Sequence, residues 1–401
     1  MASWIDAAAA AERLGVRPAT LYAYVSRGVL RRRRADDGRR SLYNAAEVEE
    51  LARRGRPRRQ PGSGELVIGS QLTRLGDDRP YYRGRDALDL AGVHDFETVA
   101  EWLWTGAFPA ERPAWVSDPA RVAAAWAAQS GLPVHVLPLD RLQIVVATLA
   151  ATDPVRFHLD PAAVAATGRS LIAGMVDALP LVADVEDAPG APLAARLWRR
   201  LCPEPPPAGL LRVLGAALVV LADHELAPST LAARVAASVR ADPYAVVSTG
   251  LGALGGPLHG GASFGAERML AAMREPGDAA RVIGERLRHG ERISGLGHVV
   301  YKEGDGRGRL LLDLLREAAP GHDRLAAADA VLAEARARRL PEPNIDLALA
   351  AVTSVAGMVP GAGEAVFAVA RTAGWLAHAM EEYARDTPLR PRALYTGEPA
   401  G

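Results

Sequence analysis

The sequence predicts a mostly α-helical protein of more than one domain, with a small basic module at its N-terminus. Three observations support this prediction. Apolar residues recur with helical spacing through most of residues 65–401. Residues 1–60 contain fourteen Arg against seven Asp or Glu, a net charge of +7, whereas the whole chain is neutral. Between these regions, residues 55–64 read GRPRRQPGSG, a composition that cannot form a core and predicts a linker.

Composition also limits the location and the partners of the protein. A chain of 401 residues with 49% hydrophobic residues is long enough for two or three packed domains. Cys202 is the only cysteine, which excludes an internal disulfide and multi-cysteine metal sites and favours the reducing cytoplasm. Residues 1–11 lack the basic segment of a signal peptide. The apolar stretch Leu347–Met380 contains Glu364 and Arg371, so we expect buried helices there and no membrane span.

The N-terminal module, residues 1–54, has the pattern of three short helices and a hairpin. Proline is favoured in the first turn of a helix and glycine at its end, and an Asp-Gly dipeptide suits a hairpin turn. Asn44 followed three residues later by Glu47 indicates a capped helix start. The predicted elements are a helix over Asp6–Leu14, a second from Pro18 to Gly28, a hairpin of Arg31–Arg34 with Arg39–Tyr43, and a third helix after Asn44.

In this chain, the segment AAERLGVRPATLYAYVSRGVL is followed by a basic hairpin and a short helix. This order resembles that of the MerR-like and excisionase-like winged helix-turn-helix modules, in which the hairpin is the wing. The resemblance implies a second helix that faces the major groove of DNA and wing arginines that contact phosphates. The expected DNA contacts are Arg17, Thr20, Tyr22, Arg31, Arg32, Arg33 and Arg34. The alternative is a module that makes dimer contacts or has no role, because clustered arginines are also common on solvated surfaces.

The rest of the chain predicts a large helical body. Strand-like alternation is limited to Glu65–Gln71 and Pro80–Arg83. Helical patterns cover Phe96–Gly106, Ala120–Gln129, Leu139–Ala151, Ala162–Leu179, Leu210–His224 and Ala365–Arg385.

Four polar segments interrupt this body. The first, LADHELAPST at 221–230, places His224 at a helix end, where it either binds a ligand or interacts with the helix dipole. The second, GALGGPLHGGASFGAERML at 252–270, is rich in glycine, which either allows close backbone approach to a ligand or forms a flexible turn. His259 precedes a helix there, and the positive end of that helix favours a neutral imidazole that can donate to a carbonyl.

The other two segments supply further charged groups. ISGLGHVVYKEGDGRGR at 293–309 contains His298 and Arg307; the arginine fork either binds a carboxylate or is solvated. Asp346 precedes an apolar run and is either a general base, if burial raises its pKa, or a helix cap. Arg371 lies within an apolar helix and needs an anionic partner, which is either a substrate carboxylate or a nearby Asp or Glu.

Together these segments resemble the citrate synthase family over about residues 65–401. The order of the family's motifs is matched by YYRGRDALDLAGVHDFETVAEWLWTGAFPA, ADHE, GPLHGG, GLGHVVYK with DGR, PNID and RTAGWLAH. The resemblance implies a mostly α, two-domain fold: a large helical domain at 65–261 and 351–401, a small helical domain at 262–350, and a cleft between them. It also implies a homodimer, with glycines near 255–262 as hinges.

The resemblance also implies a role for each matched residue. His259 matches the histidine that hydrogen-bonds the thioester oxygen, Asp346 the base that removes the methyl proton, and His298 the histidine that protonates the ketone oxygen of the oxo acid. The clamp on the dicarboxylate is matched by His224, Arg307, Arg371 and Arg390, the last of which comes from the other subunit in the family. The implied substrates are an acyl-CoA and oxaloacetate, with no metal and no organic cofactor.

The sequence departs from the family pattern at three places. Gly306 stands where the family usually has proline, and Leu221 stands where a second histidine often precedes Ala-Asp-His-Glu. Asp346 is followed by Leu-Ala-Leu and not by the Ser-Gly of many members. The first two changes loosen the expected positioning of substrate, but none removes a residue with an implied chemical role.

Three hypotheses about function follow. The first is a citrate synthase that uses acetyl-CoA and oxaloacetate. The second is a 2-methylcitrate synthase that uses propionyl-CoA. The third is a DNA-binding regulator whose synthase-like body senses a metabolite. His259, His298 and Asp346 together argue against the third, because a sensor needs no base, whereas the N-terminal module argues for it.

Overall fold

The computed structural model describes residues 4–14, 16, 20, 21, 24, 25, 29–35, 41–53, 67–184, 188, 190–385, 387–392 and 397. It divides the chain into two compact units, Met1–Gly69 and Ser70–Gly401. The predicted linker at 55–64 lies outside the described residues, as do Arg17 and Tyr22, two of the predicted DNA contacts. The division of the body into large and small domains stays a prediction.

The N-terminal unit contains a three-stranded antiparallel sheet and short helices. Its elements are β1 (Trp4–Asp6), α1 (Ala7–Leu14), β2 (Arg32–Arg34), β3 (Ser41–Asn44) and α2 (Ala45–Arg53). Strand β3 is central and pairs Leu42 with Arg33 and Tyr43 with Ile5. The predicted first and third helices and the pairing of the two hairpin strands are confirmed, whereas the predicted Asp-Gly turn lies outside the described residues. Within the predicted second helix, the described residues Thr20, Leu21, Tyr24 and Val25 are helical.

Two details of this unit differ from the prediction. Strand β1 is not predicted by the sequence, because three residues are too few to show alternation. Asn44 caps α2 as expected, since its Oδ1 accepts from the backbone N–H of Ala46 at 3.0 Å. Glu47 does not complete a capping box with Asn44. Its carboxylate accepts from the backbone N–H of Arg31 at 2.7 Å and pairs with the Arg31 guanidinium, a stronger partner than a backbone amide.

The C-terminal unit is helical, as predicted. Its first helices are α3 (Ala87–Val93), α4 (Phe96–Thr105), α5 (Pro119–Gln129), α6 (Pro138–Ala151), α7 (Pro161–Asp177), α8 (Leu193–Leu201), α9 (Ala208–Leu221) and α10 (Pro228–Ser238). They are followed by α11 (Pro243–Leu254), α12 (Gly261–Ala271), a short 3₁₀ helix (Pro276–Asp278), α13 (Ala279–Arg288), α14 (Gly306–Ala318), α15 (Asp323–Ala337), α16 (Ile345–Ala356) and α17 (Ala362–Tyr383).

A small antiparallel sheet precedes these helices. It consists of β4 (Thr73–Leu75), β5 (Pro80–Tyr82) and β6 (Arg85–Asp86). The predicted strand at Pro80–Arg83 is confirmed, but the one at Glu65–Gln71 is wrong over its described part, 67–71, which contains no strand. In the tight turn before β5, the N–H of Gly76 donates to the carbonyl of Arg79 at 2.8 Å. This turn fixes which residues of β4 and β5 pair, and the alternation of apolar residues alone does not reveal the pairing.

Several helix starts follow directly from local sequence. Asp118, Asp160 and Asp242 each accept backbone N–H groups at a helix N-terminus, and in each case proline occupies the next position. A carboxylate there satisfies amides that have no helical partner, and proline loses no hydrogen bond. These signals fix where α5, α7 and α11 begin.

The apolar stretch 347–380 forms two helices at the centre of the unit. Gly357, with φ +65°, ends α16, and Gly361, with φ +80°, precedes α17. Nearly every residue of α17 is buried. The helix packs on α10 and α11 and also on α7, α4 and α9. Among the described residues, no helix is both long and apolar enough to cross a membrane.

Candidate active site

Loops, helix starts and the interior of α17 bring together six of the seven residues expected to contact substrate. The rings of His224 and His298 are 5.3 Å apart. Burial, followed by the charges of Arg307 and Arg371, holds the pKa of His224 well below its usual value. The six residues are His224 after α9, His259 before α12, His298 before α14, Arg307 in the first turn of α14, Asp346 in the first turn of α16, and Arg371 within α17.

Asp346 has the surroundings of a general base. Asn344, and not Asp346, caps α16, because its Oδ1 accepts from the N–H of Asp346 at 2.9 Å. The hydroxyl of Ser263 donates to Oδ1 of Asp346 at 2.6 Å. Burial raises the pKa of Asp346 to about 6, although Ser263 and then Arg307 act to lower it. The carboxylate is therefore ionised at neutral pH and more basic than an ordinary aspartate.

His259 is held by Ser229. Its Nε2 lies 2.7 Å from the Ser229 hydroxyl, and that hydroxyl also accepts from the indole N–H of Trp375 at 3.3 Å. Because the indole can only donate, the serine proton is available to Nε2, and we assign the proton of the neutral imidazole to Nδ1. Burial and then the charge of Arg371 lower the pKa of His259 to about 4. His259 is thus a neutral donor at physiological pH.

His298 has the opposite tautomer. Its Nδ1 accepts from the backbone N–H groups of Val300 and Tyr301, both at 3.1 Å, so the proton of the neutral ring lies on Nε2. The ring stacks on Tyr301 with centroids 4.6 Å apart, and the Tyr301 hydroxyl lies 2.9 Å from Nε2 of His224. Burial and then the charge of Arg307 lower the pKa of His298 to about 4. The loop therefore fixes both the orientation and the protonation of His298.

Arg307 is buried and paired, and is not a solvated loop residue. Its Nε and Nη2 donate to the two oxygens of Asp305 at 3.0 and 2.7 Å, and its guanidinium lies 5.4 Å from the Tyr301 ring centroid. Asp305 also accepts from the backbone N–H of Ile345, which joins α14 to α16. Burial lowers the pKa of Arg307, but the Asp305 carboxylate outweighs this effect and the net pKa is raised.

Arg371 is buried without an acidic hydrogen-bonding partner. Its Nε donates to the carbonyl of Leu221 at 2.8 Å, and its guanidinium lies 4.7 Å from the Phe367 ring centroid. Its Nη1 and Nη2 have no hydrogen-bond partner among the described residues. Burial lowers the pKa of Arg371 to about 10, although the charge of Asp223 opposes the shift. Two buried, unsatisfied donors on a cation indicate a site for an anionic ligand.

The remaining predicted contacts lie elsewhere. Arg390, the seventh residue expected to contact substrate, is exposed. In the N-terminal unit, Arg32–Arg34 form an exposed strand, and the guanidinium of Arg33 lies 4.9 Å from the Trp4 ring centroid. The Arg31 guanidinium pairs with Glu47, and Thr20 is partly buried.

A cavity of about 610 Å³ adjoins His298. Its lining includes the basic side chains of Arg292 and Lys302, the acidic side chains of Glu291 and Glu342, and apolar residues such as Val299. Within such a lining, the apolar side chains can contact an aromatic or aliphatic part of a ligand and the two basic side chains can contact phosphates. In the described part of the chain, no cluster of three or more His, Cys, Asp or Glu residues could hold a metal ion.

Sequence reasoning missed Ser229, Ser263, Tyr301 and Asp305. Asp305 lies two residues before Arg307, and this spacing at a helix start is a signal that could have revealed the pair. Ser229 and Ser263 are remote in sequence from the groups they contact, by 30 and 83 residues, and small hydroxyl residues are common in helix starts. Nothing in the sequence distinguishes them from ordinary helix residues.

Comparison with known proteins defines the class of protein. The family model described as citrate synthase, C-terminal domain, matches residues 63–392, and the model described as helix-turn-helix domain matches residues 4–56. The chain is 30% identical over 360 residues to citrate synthase 2 of Bacillus subtilis strain 168, covering 83% of this chain and 94% of that protein. The chain therefore belongs to the citrate synthase family and carries a helix-turn-helix domain at its N-terminus.

Other relatives give the same fold and two activities. The chain is 30% identical over 341 residues to 2-methylcitrate synthase 2 of Corynebacterium glutamicum, covering 79% of this chain and 88% of that protein. Citrate synthase from Thermotoga maritima superposes with a TM-score of 0.70 at 24% identity, covering 84% and 94% of the two chains. The enzyme from Thermoplasma acidophilum, solved with carboxymethyl coenzyme A and oxaloacetate, gives 0.70 at 22% identity, covering 84% and 95%. The predicted mostly helical citrate synthase fold is confirmed.

Proposed function

We propose that the protein condenses acetyl-CoA with oxaloacetate and hydrolyses the resulting citryl-CoA to citrate and CoA, in the cytoplasm and without a metal or organic cofactor. The observation that supports this most is the combination of a buried carboxylate with two buried histidines, one whose Nε2 contacts a serine hydroxyl and one whose Nδ1 accepts backbone N–H groups. Enolisation requires a base at the methyl group and a donor at the thioester oxygen, and condensation requires a second donor at the ketone.

The first step uses Asp346 and His259. Asp346 removes a proton from the thioester methyl group while Nδ1–H of His259 donates to the thioester oxygen. A thioester methyl is a very weak acid, so neither group suffices alone; each positioned acid or base contributes about 10²–10⁴-fold. The low pKa of His259 suits this role, because a neutral imidazole does not lose its proton to the enol prematurely.

The second step joins the two carbon skeletons. The enol carbon attacks the ketone carbon of oxaloacetate, and Nε2–H of His298 protonates the ketone oxygen. The two carboxylates of the oxo acid are held by the free donors of Arg371, by Arg307 and by His224, and Arg390 of the partner subunit in a homodimer completes the clamp. Water then cleaves the thioester, which makes the sequence irreversible.

The acyl-CoA is assigned to the cavity beside His298. Lys302 and Arg292 would contact its phosphates, and Ile293 and Val299 its adenine and pantetheine parts. A propionyl-CoA substrate, giving 2-methylcitrate, is the second candidate, because relatives at the same 30% identity include both a citrate synthase and a 2-methylcitrate synthase.

Release of free thiol tests this proposal. Purified protein is incubated with acetyl-CoA or propionyl-CoA, with and without oxaloacetate, beside Asp346→Ala and a control, Asp323→Ala, which alters an exposed aspartate at the start of α15. We expect release that requires oxaloacetate, is retained in the control and is lost in Asp346→Ala. The ratio of the two acyl-CoA rates identifies the substrate. Folded protein with no release from either thioester would refute the enzyme assignment.

The N-terminal unit is proposed to bind DNA. The supporting observations are the net charge of +7 over residues 1–60 and the exposed basic strand Arg32–Arg34. In a homodimer, two such units would match the two half-sites of a palindrome. If the protein shifts DNA in a salt-dependent way, and deletion of residues 1–60 removes the shift while leaving thiol release intact, the unit is a DNA-binding domain. Equal DNA binding after the deletion would contradict this assignment.

A further inference from the structure

A second cluster of buried polar residues lies beside Arg371 and includes no residue with a proposed chemical role. It contains Asp223, His378 and Arg234, none of which has measurable side-chain exposure. Nε2 of His378 lies 3.3 Å from Oδ2 of Asp223, and Nδ1 of His378 lies 2.5 Å from Nη1 of Arg234. The hydroxyl of Thr73 donates to the same Oδ2 of Asp223. Asp223 connects this cluster to the candidate active site, because it immediately precedes His224 in the chain.

The direction of each hydrogen bond follows from the chemistry of the donors. A guanidinium has no acceptor, so Nδ1 of His378 must accept from Arg234 and carries no proton. His378 is then a neutral ring whose Nε2–H donates to Asp223. The charge of Arg234 is balanced by Glu381 and Glu382, which accept from Nη1 and Nε at 2.7 Å each. Asp223 consequently receives two hydrogen bonds at Oδ2 but keeps its negative charge.

Asp223 and Arg371 are neighbours that do not pair. Oδ1 of Asp223 is buried without a hydrogen-bond partner among the described residues, and the same holds for Nη1 and Nη2 of Arg371. An ideal Cβ on Gly374, one turn after Arg371 in α17, would lie 2.5 Å from Oδ1 of Asp223. Residues three apart share one face of a helix. Opposite charges attract each other strongly in the buried interior of a protein, so something must hold the carboxylate away from the guanidinium.

We propose that His378 and Thr73 are positioning residues that hold Asp223 away from Arg371, so that Asp223 provides a countercharge while the Nη donors of Arg371 stay available to a substrate carboxylate. If these two bonds are lost, the Asp223 carboxylate rotates toward Arg371 and competes with the substrate. The identity of that substrate as oxaloacetate rests on the function proposed above. The arrangement of the four side chains, Thr73, Asp223, Arg371 and His378, does not depend on that function.

Two substitutions of His378 separate its two hydrogen bonds. In His378→Gln, the amide N–H₂ replaces Nε2–H and keeps the donor to Asp223. In His378→Asn, the amide oxygen replaces Nδ1 and keeps the acceptor for Arg234, but the side chain is too short to reach Asp223. We expect His378→Asn to raise the KM and the calorimetric Kd for oxaloacetate roughly 10- to 100-fold with little change in kcat, as for loss of a hydrogen bond to a buried charge. His378→Gln stays close to the parent protein.

Thr73 provides an independent pair of variants in case His378 variants do not fold. Thr73→Val removes the other donor to Asp223 with little change in volume, and Thr73→Ser retains it. We expect Thr73→Val to raise the KM for oxaloacetate and Thr73→Ser to leave it near the parent value. Thermal unfolding of each variant shows that the fold is retained.

A double substitution distinguishes competition from simple structural damage. Adding Asp223→Asn to His378→Asn removes the competing carboxylate, so the KM for oxaloacetate should fall back toward the parent value. Structural damage alone would make the double variant worse than either single one. An apo crystal structure of His378→Asn gives a readout without substrate: Asp223 within hydrogen-bonding distance of Arg371 supports the proposal, and an unmoved Asp223 overturns it. If the parent protein binds no oxaloacetate while this structure shows the new pair, the proposed function fails and the positioning role stands.

Discussion

The start of α14 and the middle of α17 each contribute one buried arginine to the site, and the two are held in different ways. Arg307, 2% exposed, donates two hydrogen bonds to Asp305, and its pKa is raised. Arg371, 1% exposed, has two unsatisfied donors, and its pKa is lowered to about 10. Both would contact the same dicarboxylate, but of the two only Arg307 is hydrogen-bonded to a carboxylate within the described part of the protein itself.

The difference shows that burial of a charge does not by itself reveal its role. The Arg307–Asp305 pair joins α14 to α16, so it is part of the fold as well as of the site. The environment of Arg371 disfavours its charge until an anion arrives, so this arginine is maintained for the ligand at the expense of stability. Substitution of either residue should therefore weaken binding, but substitution of Arg307 should reduce stability much more than substitution of Arg371.

The largest effect is expected for Arg371→Met. It should lower kcat/KM for oxaloacetate about 30- to 5,000-fold, the range for loss of one partner of a buried charge pair. The unfolding free energy of the empty protein should fall less than in Arg307→Met, because burial disfavours the charge of Arg371 and no carboxylate of the described residues is hydrogen-bonded to it. Steady-state kinetics and urea unfolding measure the two quantities. A stability loss as large as that of Arg307→Met would contradict the comparison.

Arg307→Met should impair oxaloacetate binding and also destabilise the protein. It leaves the buried Asp305 carboxylate without its cation, which costs about 3–5 kcal/mol of unfolding free energy. Adding Asp305→Asn should recover part of this loss without restoring binding. Urea unfolding of the three variants checks this. Equal stability of Arg307→Met and the parent protein would show that Asp305 does not depend on Arg307.

The pH dependence of activity should follow Asp346. Its carboxylate acts only when ionised, and its pKa of about 6 lies above the ordinary value, so kcat/KM should be constant at pH 7–8 and fall through pH 6, about tenfold per pH unit below it. His259 and His298, each with a pKa of about 4, stay neutral over this range. A profile that falls only below pH 5 would show that burial does not raise the pKa of the base in solution.

A third type of arginine, exposed in the N-terminal unit, should have the smallest effect. Arg33→Ala removes one cation from strand β2 and should weaken DNA binding a few-fold while reducing the salt dependence, log K against log salt, by about one unit. Thiol release and unfolding should not change, because an exposed charge stabilises little. Fluorescence anisotropy at several salt concentrations measures the slope. A changed rate of thiol release would mean that this arginine also affects the catalytic body.

The sequence by itself determined the helical class, the basic N-terminal module and which residues are expected to contact a ligand. Helix starts such as Asp118 and Asp160 are local signals, and the motifs around His259, His298 and Asp346 lie in order along the chain. These features depend on neighbours within a few residues, so they can be read without the fold.

Only the tertiary structure decided the chemical state of those residues. The tautomer of His259 depends on Ser229, 30 residues away, and the pKa of Asp346 depends on burial and on Ser263, 83 residues away. The sequence left two alternatives for the partner of Arg371, a nearby Asp or Glu or a ligand. In the structure its Nε donates to the carbonyl of Leu221, and Nη1 and Nη2 have no hydrogen-bond partner among the described residues, which favours the ligand. Burial and hydrogen bonding between distant segments set protonation, and no local pattern encodes them.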